Sequence, residues 1–185
     1  SKGYDFGIEQ SFIDGAVTAT ATYFHRKSDD LIAYNPSSFQ SENIGRTKSE
    51  GVELGLIIRP EENLDVRVNY ALVDATTLSP GANYGNQLAR RPKDKASFVA
   101  DWKSPWGVKL GTTISLTGDS FDNINNSVAN RLDGYWLASI RAAVPVTSQL
   151  EVYGRVENLF DQDYVVVKGY NTYGRTAAVG VRARF

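Results

Sequence analysis

Residues 176–185 read TAAVGVRARF, and apolar side chains fall at every second position: Ala177, Val179, Val181, Ala183 and Phe185. Arg182 and Arg184 stand between them, with Ala178 and Gly180 further back. A period of two marks a strand whose faces meet different surroundings. One face here is apolar up to the final aromatic, while the other carries charge. Bacterial outer-membrane barrels close on such strands, with lipid on one side and a polar lumen on the other. The stretch therefore predicts the last strand of a barrel.

The pattern continues upstream. Leu150, Val152, Gly154 and Val156 alternate with Glu151, Tyr153, Arg155 and Glu157, and Trp136, Ala138, Ile140, Ala142 and Val144 alternate with Ser139 and Arg141. Further back lie alternating runs over 108–116, 95–102, 64–72, 52–58, 17–23 and 4–12. Turn signals bound them, giving about nine strands. Short turns are expected at Asp14-Gly15, Pro60–Asn63, Ser104–Gly107 and Pro145–Gln149. Long polar segments are expected over 28–46, 76–94, 118–131 and 160–174. The first contains an apolar run, Leu31–Tyr34, that suits a small hairpin or a strand extension. The last is expected to hold a strand extension at Tyr164–Val167 and a turn near Gly169–Asn171. Short and long connections alternate, as periplasmic turns and extracellular loops do in an outer-membrane barrel. Strands of about ten residues suit a tilted crossing.

Composition is consistent with this. The 185 residues carry a net charge of −1, which argues against a nucleic-acid binder. Without cysteine there is neither a disulfide framework nor a thiolate metal site. Methionine is absent even at position 1, so a processed product or an excerpt is expected. No apolar run approaches the roughly 20 residues of a transmembrane helix. A soluble antiparallel sandwich would also alternate. Against it, the in-strand charges Glu53, Arg67, Lys109, Arg155, Arg182 and Arg184 fall on one set of positions, and the other set is uncharged. Tyr4, Tyr70, Trp102, Trp106, Tyr135, Trp136, Tyr153 and Phe185 lie near strand ends, where a membrane girdle would place them.

Residues 156–175, VENLFDQDYVVVKGYNTYGR, together with the terminal alternation, resemble the C-terminal signature of TonB-dependent outer-membrane receptors. The resemblance rests on Asn158-Leu159-Phe160-Asp161, Tyr164 and Gly174-Arg175. Asn43-Ile44-Gly45 with Ser49-Glu50-Gly51-Val52-Glu53, and Asp133-Gly134-Tyr135 with Leu137, add to it. Gly169-Tyr170-Asn171-Thr172 looks most like the cobalamin-receptor branch. The resemblance implies an all-β, antiparallel transmembrane barrel of about 22 strands with a plugged lumen. Residues 1–185 would be its C-terminal part, with the plug and early strands absent. It also implies a bacterial outer-membrane location and energy-coupled uptake of cobalamin or an iron chelate such as a siderophore or haem. The implied partners are membrane lipid, the plug, TonB through the N-terminal region, and the barrel-assembly machinery through the last strand and Phe185. No cofactor is expected in this segment. A passive porin and a barrel enzyme are the alternatives.

Candidate site residues follow. Tyr34, Asn35, Tyr84, Asn86, Asn123, Asn125, Tyr170, Asn171 and Tyr173 fall in the long loops. They offer flat apolar area with hydrogen bonds to a large polar ligand. Glu53, Arg67, Asp101, Arg141, Arg155 and Arg182 are expected to face the lumen and to pair with one another or with the plug. His25 is the single histidine, and its nearness in sequence to Ser28 and Asp29 does not build a catalytic triad. Asp29, Asp30, Asp119 and Asp122 lack an EF-hand spacing, so they read as solvated loop residues and no metal is expected.

Overall fold

The computed structural model describes residues 1–30, 32–35, 40–43 and 45–184, with 33–35 and 40–43 described by backbone alone. The strands are β1 (Lys2–Phe12), β2 (Val17–Ser28), β3 (Ile32–Asn35), β4 (Gln40–Asn43), β5 (Thr47–Glu61), β6 (Leu64–Thr77), β7 (Asp94–Lys103), β8 (Lys109–Thr117), β9 (Ser120–Phe121), β10 (Arg131–Leu132), β11 (Tyr135–Pro145), β12 (Leu150–Glu157) and β13 (Thr176–Ala183). Nine of them form one antiparallel sheet in the order β1-β2-β5-β6-β7-β8-β11-β12-β13. The pairs β3–β4 and β9–β10 are small hairpins in the long connections. The expected strand number is thus found, and the run before Asn35 belongs to a hairpin; Leu31 and Phe185 lie outside the described residues.

Register carries the period of two across the sheet. Ile8, Ala21, Leu54, Tyr70, Ala96, Leu116 and Trp136 form one cross-strand row. Their sequence neighbours Gly7, Thr22, Glu53, Ala71, Lys95, Thr117 and Tyr135 form the row on the opposite face. A one-residue slip between any two strands would exchange the faces, so the contrast in polarity enforces the register.

The sheet is a single layer. The only buried hydrophobic residues among those described are Ala75 and Ala138 in this sheet and Leu132 in the β9–β10 hairpin, and no large side chain is fully buried. Leu54, Leu72, Leu110, Ile114, Ile140 and Val144 are all more than two-fifths exposed or at that limit. A soluble sandwich would cover this face with a second sheet. Among the described residues none does, and so large an apolar face belongs against lipid.

Three local expectations are corrected. Tyr164–Val167 is not a strand. Its apolar residues turn outward, with Val165 and Val166 each 45% exposed, while Tyr164 packs on Tyr135 with ring centroids 4.6 Å apart. Pro60 lies inside β5, one residue before its end, and Pro145 is the last residue of β11, so neither opens a turn. Pro60 sits where the β5–β6 register shifts, a place that tolerates a missing N–H. Tyr135 and Tyr153 share the charged face, so they are not part of an outward girdle.

Candidate functional site

The charged face is organised by ion pairs. Asp65, Asp101, Gly111, Arg141, Arg155 and Ala178 form one row across six strands, with acids on β6 and β7 and arginines on β11 and β12. Asp101 and Arg141 are separated by β8, yet their side chains pair across it. Gly111 lies between them. A Cβ there would stand 2.5 Å from Arg141 Nε and 2.6 Å from Asp101 Oδ1, so the crossing needs glycine. Asp65 accepts from Arg59 at 2.6 Å and from Arg67 at 2.7 Å. Glu151 accepts from Lys109 at 2.9 Å and Arg182 at 2.5 Å, and Arg155 meets Glu157 at 3.3 Å. Arg182 also lies over the Tyr153 ring, 5.3 Å from its centroid. Five of the six charges expected in the lumen thus have an ion-pair partner, although only Asp101 and Arg141 pair with each other; Arg67, Arg155 and Arg182 pair with Asp65, Glu157 and Glu151. Glu53 has no ion-pair partner among the described residues.

The long connections all leave one end of the sheet. Two are fastened together, 77–93 and 118–131. Gln87 N donates to Asn126 Oδ1 at 2.7 Å, and Asn126 Nδ2 returns a bond to Gln87 O at 3.0 Å. Asn86 Nδ2 donates to Ile124 O at 3.0 Å, and Arg90 pairs with Asp122 at 2.9 Å. The third connection joins them: Lys168 Nζ donates to Ala129 O, and Lys168 N reaches Asp122 Oδ1 at 3.4 Å. Asn126 holds a positive φ of 51°, which asparagine tolerates better than most residues.

The loop candidates divide accordingly. The amide of Asn86 joins two loops. Asn123 Oδ1 accepts from Asn125 N at 3.1 Å, and Asn125 Oδ1 accepts from Ser127 N at 3.0 Å. Tyr84, Tyr170 and Tyr173 stand 64%, 73% and 85% exposed, and Asn171 is exposed beside them in sequence. The side chains of Tyr34 and Asn35, at the end of β3, lie outside the description. Gln87, Asn126 and Lys168 were not singled out from sequence. The run Asn123-Ile124-Asn125-Asn126 signals a turn but not the distant loop it grips.

The NLFD segment is a clamp. Asn158 is 6% exposed and adopts a positive φ of 49°. Its Oδ1 accepts from Gln162 N and its Nδ2 donates to Gln162 O, both at 2.9 Å. Asp161 Oδ1 accepts from Arg175 N at 2.7 Å, and a Cβ on Gly174 would lie 2.9 Å from that oxygen. The motif thus folds the return from β12 so that β13 starts in register.

His25 contacts neither Ser28 nor Asp29 in a catalytic arrangement. Its Nδ1 is 3.0 Å from Glu50 Oε2, and its ring stacks on Tyr4 at 5.3 Å. Asp119 and Asp122 pair with Arg131 and Arg90. Among the described residues, no group of three His, Cys, Asp or Glu converges as a metal site.

Comparison with known proteins agrees with this architecture. The family model described as TonB dependent receptor-like, beta-barrel, matches residues 1–159. The closed form of the ferric-catecholate import receptor Fiu from E. coli K12 is 21% identical, with a TM-score of 0.78 over 99% of this chain and 27% of that one. The siderophore receptor PiuA from Acinetobacter baumannii is 19% identical, with a TM-score of 0.81 over 98% of this chain and 28% of that one. The ferric yersiniabactin uptake receptor FyuA from Yersinia pestis is 18% identical, with a TM-score of 0.77 over 99% of this chain and 30% of that one. At these identities the likeness concerns the fold, and the chain spans less than a third of each receptor's length. With the family model covering most of its residues, a lipid-facing apolar side and a paired, charged inner side, the chain belongs to the TonB-dependent receptor β-barrel family, whose barrels reside in the bacterial outer membrane.

Proposed function

We propose that this chain is the C-terminal barrel portion of a receptor for energy-coupled import of a large, scarce ligand. The observation that carries the proposal is the fastened loop cluster at one end of the strands, with the exposed tyrosines Tyr84, Tyr170 and Tyr173 in those loops. Those tyrosines, with Asn171 and the β3 residues Tyr34 and Asn35, form the ligand-binding surface. Asn86, Asn123 and Asn125 shape its loops. The lumen is filled by a plug domain, to which Glu53 presents its unpaired carboxylate. TonB acts through the N-terminal region. The barrel-assembly machinery reads the last strand, including Phe185.

The ligand is a ferric chelate. The three similar receptors are described as a ferric-catecholate import receptor, a siderophore receptor and a ferric yersiniabactin uptake receptor, which supports that class. Cobalamin is the second reading, carried by Gly169-Tyr170-Asn171-Thr172. The test is calorimetric titration of the full-length receptor in detergent with a ferric catecholate, haem and cyanocobalamin. Saturable binding of the iron chelate is expected, with Tyr84→Ala, Tyr170→Ala and Tyr173→Ala each weakening it at least about fivefold. Binding of cyanocobalamin alone would replace the ligand and keep the import reading. Binding of none, with passage of small solutes through an unenergised membrane, would favour a porin.

A further inference from the structure

The apolar face does not stay apolar to its outer end. Lys2 on β1 lies opposite Lys27 on β2, and Lys27 lies opposite Lys48 on β5. All three share the parity of Tyr4, Phe6, Ile8, Tyr23, Val52 and Leu54, so they lie on the lipid-facing side. Strands in a sheet are about 4.8 Å apart, which places three ammonium stems within roughly 10 Å. Like charges directly opposite one another destabilise a sheet. Among the described residues, the carboxylate ion-paired within this row on the same face is Glu50, which takes Lys48 Nζ at 2.7 Å and His25 Nδ1 at 3.0 Å; Asp74, opposite Glu50, shares the face and also acts on Lys48. Lys2 and Lys27 are exposed and have no ion-pair partner among the described residues. The neighbouring acids do not reach them. Asp74, opposite Glu50, faces Lys93 at 3.7 Å, and Asp94 accepts from Tyr70 Oη at 2.5 Å.

Below the lysines lies a shelf of rings. Tyr4 stacks on His25 at 5.3 Å and meets Tyr23 at 6.3 Å. Below the rings, Phe6, Ile8, Ala21 and Leu54 continue the apolar surface. The short Asp14 turn joins the other ends of β1 and β2, so the lysines stand at the extracellular end. Cations, then a flat aromatic shelf, then hydrocarbon match the three zones of one kind of molecule.

We propose that the outward ends of β1, β2 and β5 form a binding site for a phosphorylated glycolipid of the outer leaflet. Lys2 and Lys27 hold its phosphate, with Lys48 completing the row. The Tyr4–His25 shelf lies under its sugar, and its acyl chains run along Phe6 and Ile8. The site is separate from ligand import, because it faces lipid rather than the extracellular loops.

The full-length receptor, purified in mild detergent, would be examined by native mass spectrometry with added bisphosphorylated lipid A. Three further arms use lipid A stripped of phosphate, inorganic phosphate as competitor, and the Lys2→Gln/Lys27→Gln double variant. The expected result is retention of the phosphorylated lipid by the native receptor, weaker by about tenfold or more in the double variant. A Lys27→Arg variant keeps the charge and should retain the lipid. Resistance to heat-induced unfolding on gels verifies that each variant is folded. Equal retention by the double variant, or equal retention of the dephosphorylated lipid, would overturn the proposal. So would displacement of the lipid by millimolar inorganic phosphate, which would mark a general anion site.

Discussion

Single residues decide where side chains can meet across strands and loops here. Gly111 lets Asp101 and Arg141 meet across β8, and no side chain fits beneath that pair. Gly111→Val is expected to part it and to destabilise the barrel by up to about 1 kcal/mol, the range for a half-exposed ion pair whose side-chain ends can swing aside. Urea unfolding of the full-length receptor in lipid vesicles measures this, and an unchanged midpoint would mean the pair does not depend on the gap. Asn158 is a second such residue. Asn158→Ala removes both bonds to Gln162, leaves that residue's half-buried backbone N–H and C=O without these partners, and should cost about 1–2 kcal/mol. Asn158→Asp keeps the acceptor and should fall between the two. Hydrogen exchange at the Gln162 amide reads the order. The NLFD motif was visible in the sequence, but its physical role was not. That role depends on Asp161 reaching back to Arg175, a contact across the whole return loop.

At the scale of elements, legibility followed contrast. Strands between lipid and lumen must alternate, so β5, β6 and β11 could be read from their own residues. Tyr164–Val167 shows the failure. Its apolar run imitates a strand, yet the segment is bent by the contacts of Tyr164 with Tyr135 and Thr172, which local pattern does not encode. The loop fastenings were equally hidden, because Gln87 and Asn126 lie far apart in the chain. Asn126→Ala removes both of their bonds. It is expected to loosen 77–93 and 118–131 by about 1–2 kcal/mol of local opening energy, without melting the sheet. Hydrogen exchange should then accelerate at the Gln87 amide but not in β7 or β8; acceleration throughout the sheet would show that the loops are not a separate unit. The ion pairs of the inner face were also only half legible. The sequence named Asp101, Arg141 and Arg182, but their partners depend on register.

For the whole molecule, the governing fact is that adjacent residues meet different solvents. Val68 and Asn69 are neighbours in β6 and point to opposite faces. Val68→Arg should cost about 2–4 kcal/mol if its level is near the bilayer midplane, whereas Asn69→Arg should be close to neutral in a polar lumen. Refolding of each variant of the full-length receptor into vesicles decides this, and equal costs would refute the assignment of faces. The nine strands leave β1 and β13 each with one neighbour. Such margins are adhesive, because every second backbone amide and carbonyl along them lacks a mate. Produced alone, this polypeptide would be driven to clump with its own kind. On the proposed reading, the remaining staves of a receptor, supplied as a separate polypeptide, would satisfy both margins at once, which makes this arc a natural smaller partner for reconstitution from two pieces.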